Sequence, residues 1–255
     1  MGTENTADSA CTAESAAAFI QRALAEHADP AYRDFVAKLI PAVDRTRILG
    51  VRTPELRRIA KELRRLPDAD EYLQSLPHET FEGNQIHAFA IVLESDYSRA
   101  VALYDAFLPY VDNWATCDQM PVAVLAKRAD ETLLHIDRWL ASGHAFTMRF
   151  AIGALMRLYL DERFDARLAR KVADSRLPGA KTPPAPESDA YYVDMMRAWY
   201  FAEALVKQEA STLPYLERKG ADALLDEWTR RKAIQKAIES RRVPDTLKEQ
   251  LRSFR

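Results

Sequence analysis

The sequence predicts an all-α protein, a HEAT-like helical-repeat solenoid. Three observations lead there. Only seven glycines occur in 255 residues, few for a chain rich in sheet turns. Apolar residues recur at helical spacing along nearly the whole length. Short helical segments follow one another through short polar connections, the pattern of stacked helix pairs rather than of a long-helix bundle. No strict internal repeat is visible, so the period matches HEAT or armadillo units only approximately. A solenoid of this kind offers a concave face suited to an elongated partner.

Residues 1–14 are polar and small, and read as a flexible N-terminal tail. The single helical domain is expected over 15–255. Residues 15–28 are Ala-rich, with Phe19, Ile20 and Leu24 on one side. A helix over 32–39 follows Asp29-Pro30. Thr53 is the expected N-cap and Pro54 the first residue of the next helix, whose Leu56, Ile59, Ala60 and Leu63 share a face. Segments 71–76 and 81–94 come next, the latter read as amphipathic through Ile86, Phe89, Ala90 and Leu93. Helices are then expected over 98–110, 114–126 and 130–140, and over 145–160 with Ser142-Gly143 as its cap. Segments 165–173, 191–207, 211–218, 222–241 (with room for a break) and 245–252 complete the series. The clear interruption is 177–189, where Pro178, Pro183, Pro184, Pro186 and Gly179 forbid continuous helix. It reads as a long surface loop within one domain.

Composition narrows the function classes. No Gly-rich phosphate cradle is present. The net charge of −2 gives no bulk positive field, which argues against nucleic acid unless a local patch supplies one. Cys11 and Cys117 make no disulfide framework. The five His are scattered singly without ligand spacing, so neither a metal nor any other cofactor is expected. No membrane span or secretory leader is read, and a cytoplasmic location is expected.

Four residues carry the candidate chemistry. Trp114 and Asp118 lie four apart, which on a helix sets an indole and a carboxylate one above the other. A carboxylate beside an aromatic wall suits a developing cation. Arg149 and Trp199, on later helices, could complete the cleft. Each has a plainer reading. Trp199 continues a Tyr192, Met195, Met196 stripe typical of a buried face, and Arg149 sits among Phe146, Phe150 and Ile152 as a snorkelling side chain would.

The chain resembles the DNA alkylation repair glycosylases of the AlkD type. The resemblance rests on Leu49-Gly50-Val51-Arg52-Thr53-Pro54-Glu55, on Asn113-Trp114-Ala115-Thr116-Cys117-Asp118, and on the helix around Arg149. It continues in Tyr191-Tyr192-Val193 running to Ala198-Trp199, and in Arg230-Arg231-Lys232-Ala233-Ile234-Gln235-Lys236. The chain departs from the family in having Asn113 before Trp114 where adjacent Trp residues are usual, and in the Pro-rich insertion.

The resemblance implies a solenoid cradling duplex DNA and a monomeric enzyme that removes cationic N3- or N7-alkylated purines without base flipping. In that scheme Asp118, Trp114 and Trp199 are catalytic. Asp118, as carboxylate, stabilises the oxocarbenium-like sugar and places water. The two indoles face the cationic nucleotide. Arg149 clamps a flanking phosphate, and Arg52, Arg230, Arg231, Lys232 and Lys236 bind the backbone. Two alternatives remain: a non-excising binder of branched or distorted DNA, and a HEAT-like protein-interaction scaffold.

Overall fold

A computed structural model describes residues 14–255, so nearly all of the expected 1–14 tail lies outside the described residues. Fourteen α-helices and no strand occur among them. In order they are α1 (Ala16–His27), α2 (Pro30–Leu39), α3 (Thr53–Leu63), α4 (Ala69–Gln74), α5 (Phe81–Val92), α6 (Tyr97–Phe107) and α7 (Trp114–Cys117). There follow α8 (Ala129–Leu140), α9 (Ala145–Leu158), α10 (Ala166–Asp174), α11 (Asp189–Lys207), α12 (Glu209–Glu217), α13 (Glu227–Glu239) and α14 (Asp245–Ser253). No helix is long and apolar enough to cross a membrane among the described residues.

The packing order makes the chain a helical repeat. α1 packs on α3, α3 on α5, α5 on α7, α7 on α9, α9 on α11 and α11 on α13. The odd-numbered helices thus form one continuous layer. Even-numbered helices lie against it: α4 on α1, α6 on α5, α8 on α9, α10 on α11, α12 on α11 and α13, and α14 on α13. Helices in the middle of such a stack are covered on several sides. In α5 every residue from 81 to 91 is buried, and in α9 every residue from 145 to 156. The expected amphipathic stripe on 81–94 is therefore corrected: this helix is enclosed, and Glu82, Gln85 and His87 find partners inside, whereas Asn84 Oδ1 finds none among the described residues.

Side-chain caps set most helix starts. Ser15, Asp29, Thr80, Asp96, Asn113, Asp165, Ser188 and Asp226 each accept a backbone N–H of the first turn. Three expectations shift. Thr53 is the first helical residue rather than the cap, and Arg52 occupies the cap position without a side-chain bond. His144, not Ser142-Gly143, caps α9 by accepting from Thr147 N–H. The helix expected over 114–126 lasts a single turn. Pro121 has no N–H and disfavours helix in the residue before it, so the chain leaves the helix at Asp118 and resumes as a 3₁₀ turn at Leu125–Arg128. The Pro-rich connection runs irregularly from the end of α10 to the start of α11.

Two buried polar devices hold the N-terminal half. The fully buried Glu82 carboxylate accepts from Leu49 N–H at 3.0 Å, Gly50 N–H at 2.7 Å and Val51 N–H at 3.3 Å. Gly50 has φ +88°, and a Cβ there would lie 2.1 Å from the Asp29 carbonyl oxygen. The Leu49–Val51 stretch of the first motif is thus a backbone splice, not a site. Second, His78 and His87, scattered singly in the sequence, meet in the fold. Both are buried, with Nε2 of His78 2.9 Å from Nδ1 of His87. His87 Nε2 has no hydrogen-bond partner among the described residues. A stranded donor costs more than a bare acceptor, which assigns the shared proton to His87 Nδ1, donating to His78.

Candidate nucleic-acid site

The sequence-predicted residues lie on the odd-numbered layer: Arg52 at the start of α3, Trp114 and Asp118 on α7, Arg149 on α9, Trp199 on α11, and Arg230, Arg231, Lys232 and Lys236 on α13. α7 is only one turn, so it needs outside support. Asn113 Oδ1 accepts from Thr116 N–H at 2.8 Å. The Thr116 hydroxyl accepts from Gln85 of α5 at 3.1 Å, and Gln119 donates to Gln85 at 3.2 Å. Arg47 pairs with Asp112 at 2.7 Å just before the cap. Asp118 follows as the C-cap, its N–H bonded to the Trp114 carbonyl at 2.9 Å, so the expected one-turn spacing of indole and carboxylate holds.

Arg149 comes up from the enclosed α9 to meet that carboxylate. Its Nε donates to Asp118 Oδ1 at 2.8 Å and its Nη2 to Oδ2 at 2.7 Å, a bidentate pair. Its Nη1 donates to the Tyr192 carbonyl of α11 at 2.7 Å. The Arg149 side chain is 8% exposed and that of Asp118 16%. Burial opposes the Arg149 charge, but the Asp118 bonds outweigh it and hold the guanidinium above its ordinary range. The phosphate-clamp expectation for Arg149 is corrected: all three nitrogens are engaged inside the protein, and the residue fixes Asp118 instead.

Arg157 was not foreseen. It donates to the Asp118 carbonyl at 2.8 Å and to the Met120 carbonyl at 3.3 Å, fastening the chain where α7 ends. It lies eight residues after Arg149, two turns along the same face of α9, and that spacing was the available signal. Lys236 of α13 is half-buried and feels the charges of both Arg149 and Asp118. Burial first, and Arg149 second, pull its ammonium below the usual lysine range. Two guanidinium groups thus converge on Asp118, Arg149 on its carboxylate and Arg157 on its backbone carbonyl.

The indoles differ in setting. Trp114 is partly buried against the main core and against the patch formed by Val36, Ile40 and Val43, and its Nε1 donates to the Leu39 carbonyl at 3.0 Å. Trp199 also lies at the edge of the main core, and its Nε1 donates to Glu203 at 3.3 Å. The two rings do not meet. Trp199 is seven residues beyond Tyr192, about 10 Å along α11 from where Arg149 anchors.

Among the backbone candidates, Arg230 is corrected. It is 1% exposed and donates to the Leu216 carbonyl at 3.0 Å, to the Phe254 carbonyl at 2.8 Å and to Glu227. It ties α12, α13 and the C-terminus together and cannot reach a phosphate. Its neighbour Arg231 is exposed, with only a loose 3.6 Å approach to Glu227. Lys232 lies over the Trp228 ring. Arg52 is exposed, stacked over Tyr32 at 4.5 Å and paired with Asp29 at 3.1 Å. A cavity of about 570 Å³ between α1, α4 and the turn before α5 contains none of these residues.

No curated protein matches the chain. The family described as DNA alkylation repair enzyme matches residues 20–178, more than half of the sequence, a stretch that includes Arg52, Trp114, Asp118, Arg149 and Arg157 and ends before Trp199 and α13. The chain therefore belongs to the DNA alkylation repair enzyme family.

Proposed function

We propose that the protein hydrolyses the N-glycosidic bond of cationic N3- or N7-alkylated purines in duplex DNA. Family membership supports a role in DNA repair. The observation that carries the finer reading is the Asp118 carboxylate, fixed by Arg149 through two bonds and set one turn from Trp114.

An alkylated purine carries positive charge and departs neutral, so the bond breaks with charge moving to the sugar. The transition state is oxocarbenium-like, as in other glycosidic hydrolyses. What such a reaction asks of a protein is a negative charge at the sugar, already aimed, and a held water. The Arg149 fork orients Asp118 before substrate arrives, so no reorganisation is needed during the reaction. Each carboxylate oxygen keeps a further lone pair for a water. Trp114 offers an indole to the cationic nucleotide, worth about 0.5–2 kcal/mol. Lys236, Arg231, Lys232 and Arg52 supply positive charge for the phosphates. A leaving group that needs no protonation removes the need for a deep base-reading pocket, in keeping with a lesion that stays in the stack.

A second reading, binding of branched or distorted DNA without excision, is favoured by the separation of Trp199 from Trp114. One experiment separates the two. Methylated duplex is incubated with the protein and free purines are measured by chromatography, while four-way junction DNA is tested by gel retardation. Release of 3-methyladenine or 7-methylguanine supports excision. Junction retardation with no release overturns it in favour of the second reading.

A further inference from the structure

We propose that Phe35 and Leu39 of α2 form an apolar wedge that enters the base stack of duplex DNA beside the lesion nucleotide. The inference rests on the reading that Trp114 and Asp118 face that nucleotide, and it adds how the duplex is seated there.

α2 has two faces. Val36 and Ile40 go down into the patch completed by Val43, Ile48 and Phe81. Phe35 is 55% exposed and Leu39 45%. With Tyr32 they follow one another at three- and four-residue steps, so the three share the outer face. Two of the five large apolar side chains that are exposed among the described residues thus stand one turn apart on one short helix. A single exposed apolar residue is ordinary. An aligned pair bracketed by two candidate DNA contacts is not. At the start of the stripe the Tyr32 and Phe35 rings lie 6.0 Å apart, and the Arg52 guanidinium covers Tyr32 at 4.5 Å. At its end the Leu39 carbonyl, in the last turn of α2, accepts the Trp114 indole N–H at 3.0 Å. The stripe therefore runs from a cation suited to a phosphate to the indole one turn from Asp118. Charge does not bar DNA from this face. Asp34, beside Phe35, is met by Arg33 and Arg45, and Asp29 by Arg52. Lys38, next to Leu39, is exposed.

Apolar side chains at the edge of a DNA site act by insertion. Phe or Leu between adjacent base pairs unstacks one step and kinks the duplex, and the surface then gained offsets the stacking lost. A step beside a damaged nucleotide opens at lower cost than an intact one, so insertion favours the lesion. The bond between Trp114 and α2 makes the wedge and the site one unit. Seating Phe35 and Leu39 in one step sets the neighbouring nucleotide against Trp114 and Asp118. The lesion stays stacked on its other side. Phe35 and Leu39 are positioning residues and take no part in breaking the glycosidic bond.

The test uses a short duplex with one tetrahydrofuran site, an abasic analogue with no base to release, so it does not depend on excision. Its two ends carry a donor and an acceptor dye, and energy transfer reports bending. Saturating wild-type protein should kink this duplex by roughly 20–90°. The double variant Phe35→Ala, Leu39→Ala should leave it nearly straight and bind it about tenfold or more weakly, with less preference for it over intact duplex. Both side chains are exposed, so the variant keeps its fold, and Leu134→Ala, 70% exposed on α8, serves as the control and should behave as wild type. A straight duplex with wild type bound overturns the proposal. So does an equal kink and affinity in the double variant, the result expected if this face serves a protein partner, or an equal loss with Leu134→Ala. Base release from methylated duplex is measured in parallel. A kink without release removes the excision reading and leaves the wedge, whereas release without a kink removes the wedge alone.

Discussion

The Asp118–Arg149 pair makes a quantitative prediction. Arg149→Met removes the bidentate bonds at 2.8 and 2.7 Å and the bond to the Tyr192 carbonyl at 2.7 Å. It leaves a carboxylate whose side chain is only 16% exposed without its partner. Breaking one side of a buried pair costs about 3–5 kcal/mol, most of it the cost of the stranded charge. Asp118→Asn strands the guanidinium, and the amide oxygen recovers part of the loss, so about 2–4 kcal/mol is expected. In the double variant no charge is stranded, and the combined loss should fall short of the sum by about 2–3 kcal/mol. Urea unfolding followed by tryptophan fluorescence measures all four proteins. Losses that add to within about 0.5 kcal/mol would refute the reasoning, because they would mean that the two side chains do not share an interaction.

Four further outcomes follow from the structure. Gly50→Ala places a Cβ 2.1 Å from the Asp29 carbonyl oxygen at φ +88°. It should cost at least about 3 kcal/mol and loosen the Leu49–Val51 splice, and an unchanged urea midpoint would contradict the packing described. His78 and His87 should make the fold acid-sensitive. Burial holds His78 down to about 4, below its ordinary 6.5, and burial together with the neighbouring His78 holds His87 well below the ordinary value. The unfolded chain therefore binds more protons below pH 6.5, so stability is complete above that pH and falls as pH drops toward 4. The loss from His78 alone is about 3 kcal/mol, and His78→Asn should flatten that limb of the stability curve. Arg230→Ala and Arg231→Ala should part company. The first loses about 3 kcal/mol of stability with an unchanged salt slope of DNA binding, the second stays within about 0.5 kcal/mol but lowers the slope by about 0.9.

Much of the fold was legible because helix starts are local chemistry. Asp29-Pro30, Asp165 and Asp245 mark their helices in the sequence, and apolar spacing fixes which segments are helical. Burial on every side was not legible. An amphipathic reading of 81–94 assumes one wet face, and only the neighbouring helices remove it. The short life of α7 was written in Pro121, whose effect is local, but the apolar pattern beyond it outweighed that signal. At the site, the spacing of Trp114 and Asp118 survived because it is one helical turn. The fate of Arg149, Arg157 and Arg230 did not follow from sequence, since a run of cations does not say which will be drawn inside by a carbonyl or carboxylate from another helix. Arg230 and Arg231 are adjacent, and a 100° rotation about the helix axis separates a core fastener from a surface charge.

The central claim is that the fixed Asp118 carboxylate stabilises a sugar cation in the bond-breaking step. Single-turnover release of 7-methylguanine from methylated duplex, with Asp118→Asn against wild type and duplex affinity measured beside it, tests this most directly. The account predicts a loss of about 100-fold or more in the release rate with binding retained. Release by the Asn variant at the wild-type rate would contradict it.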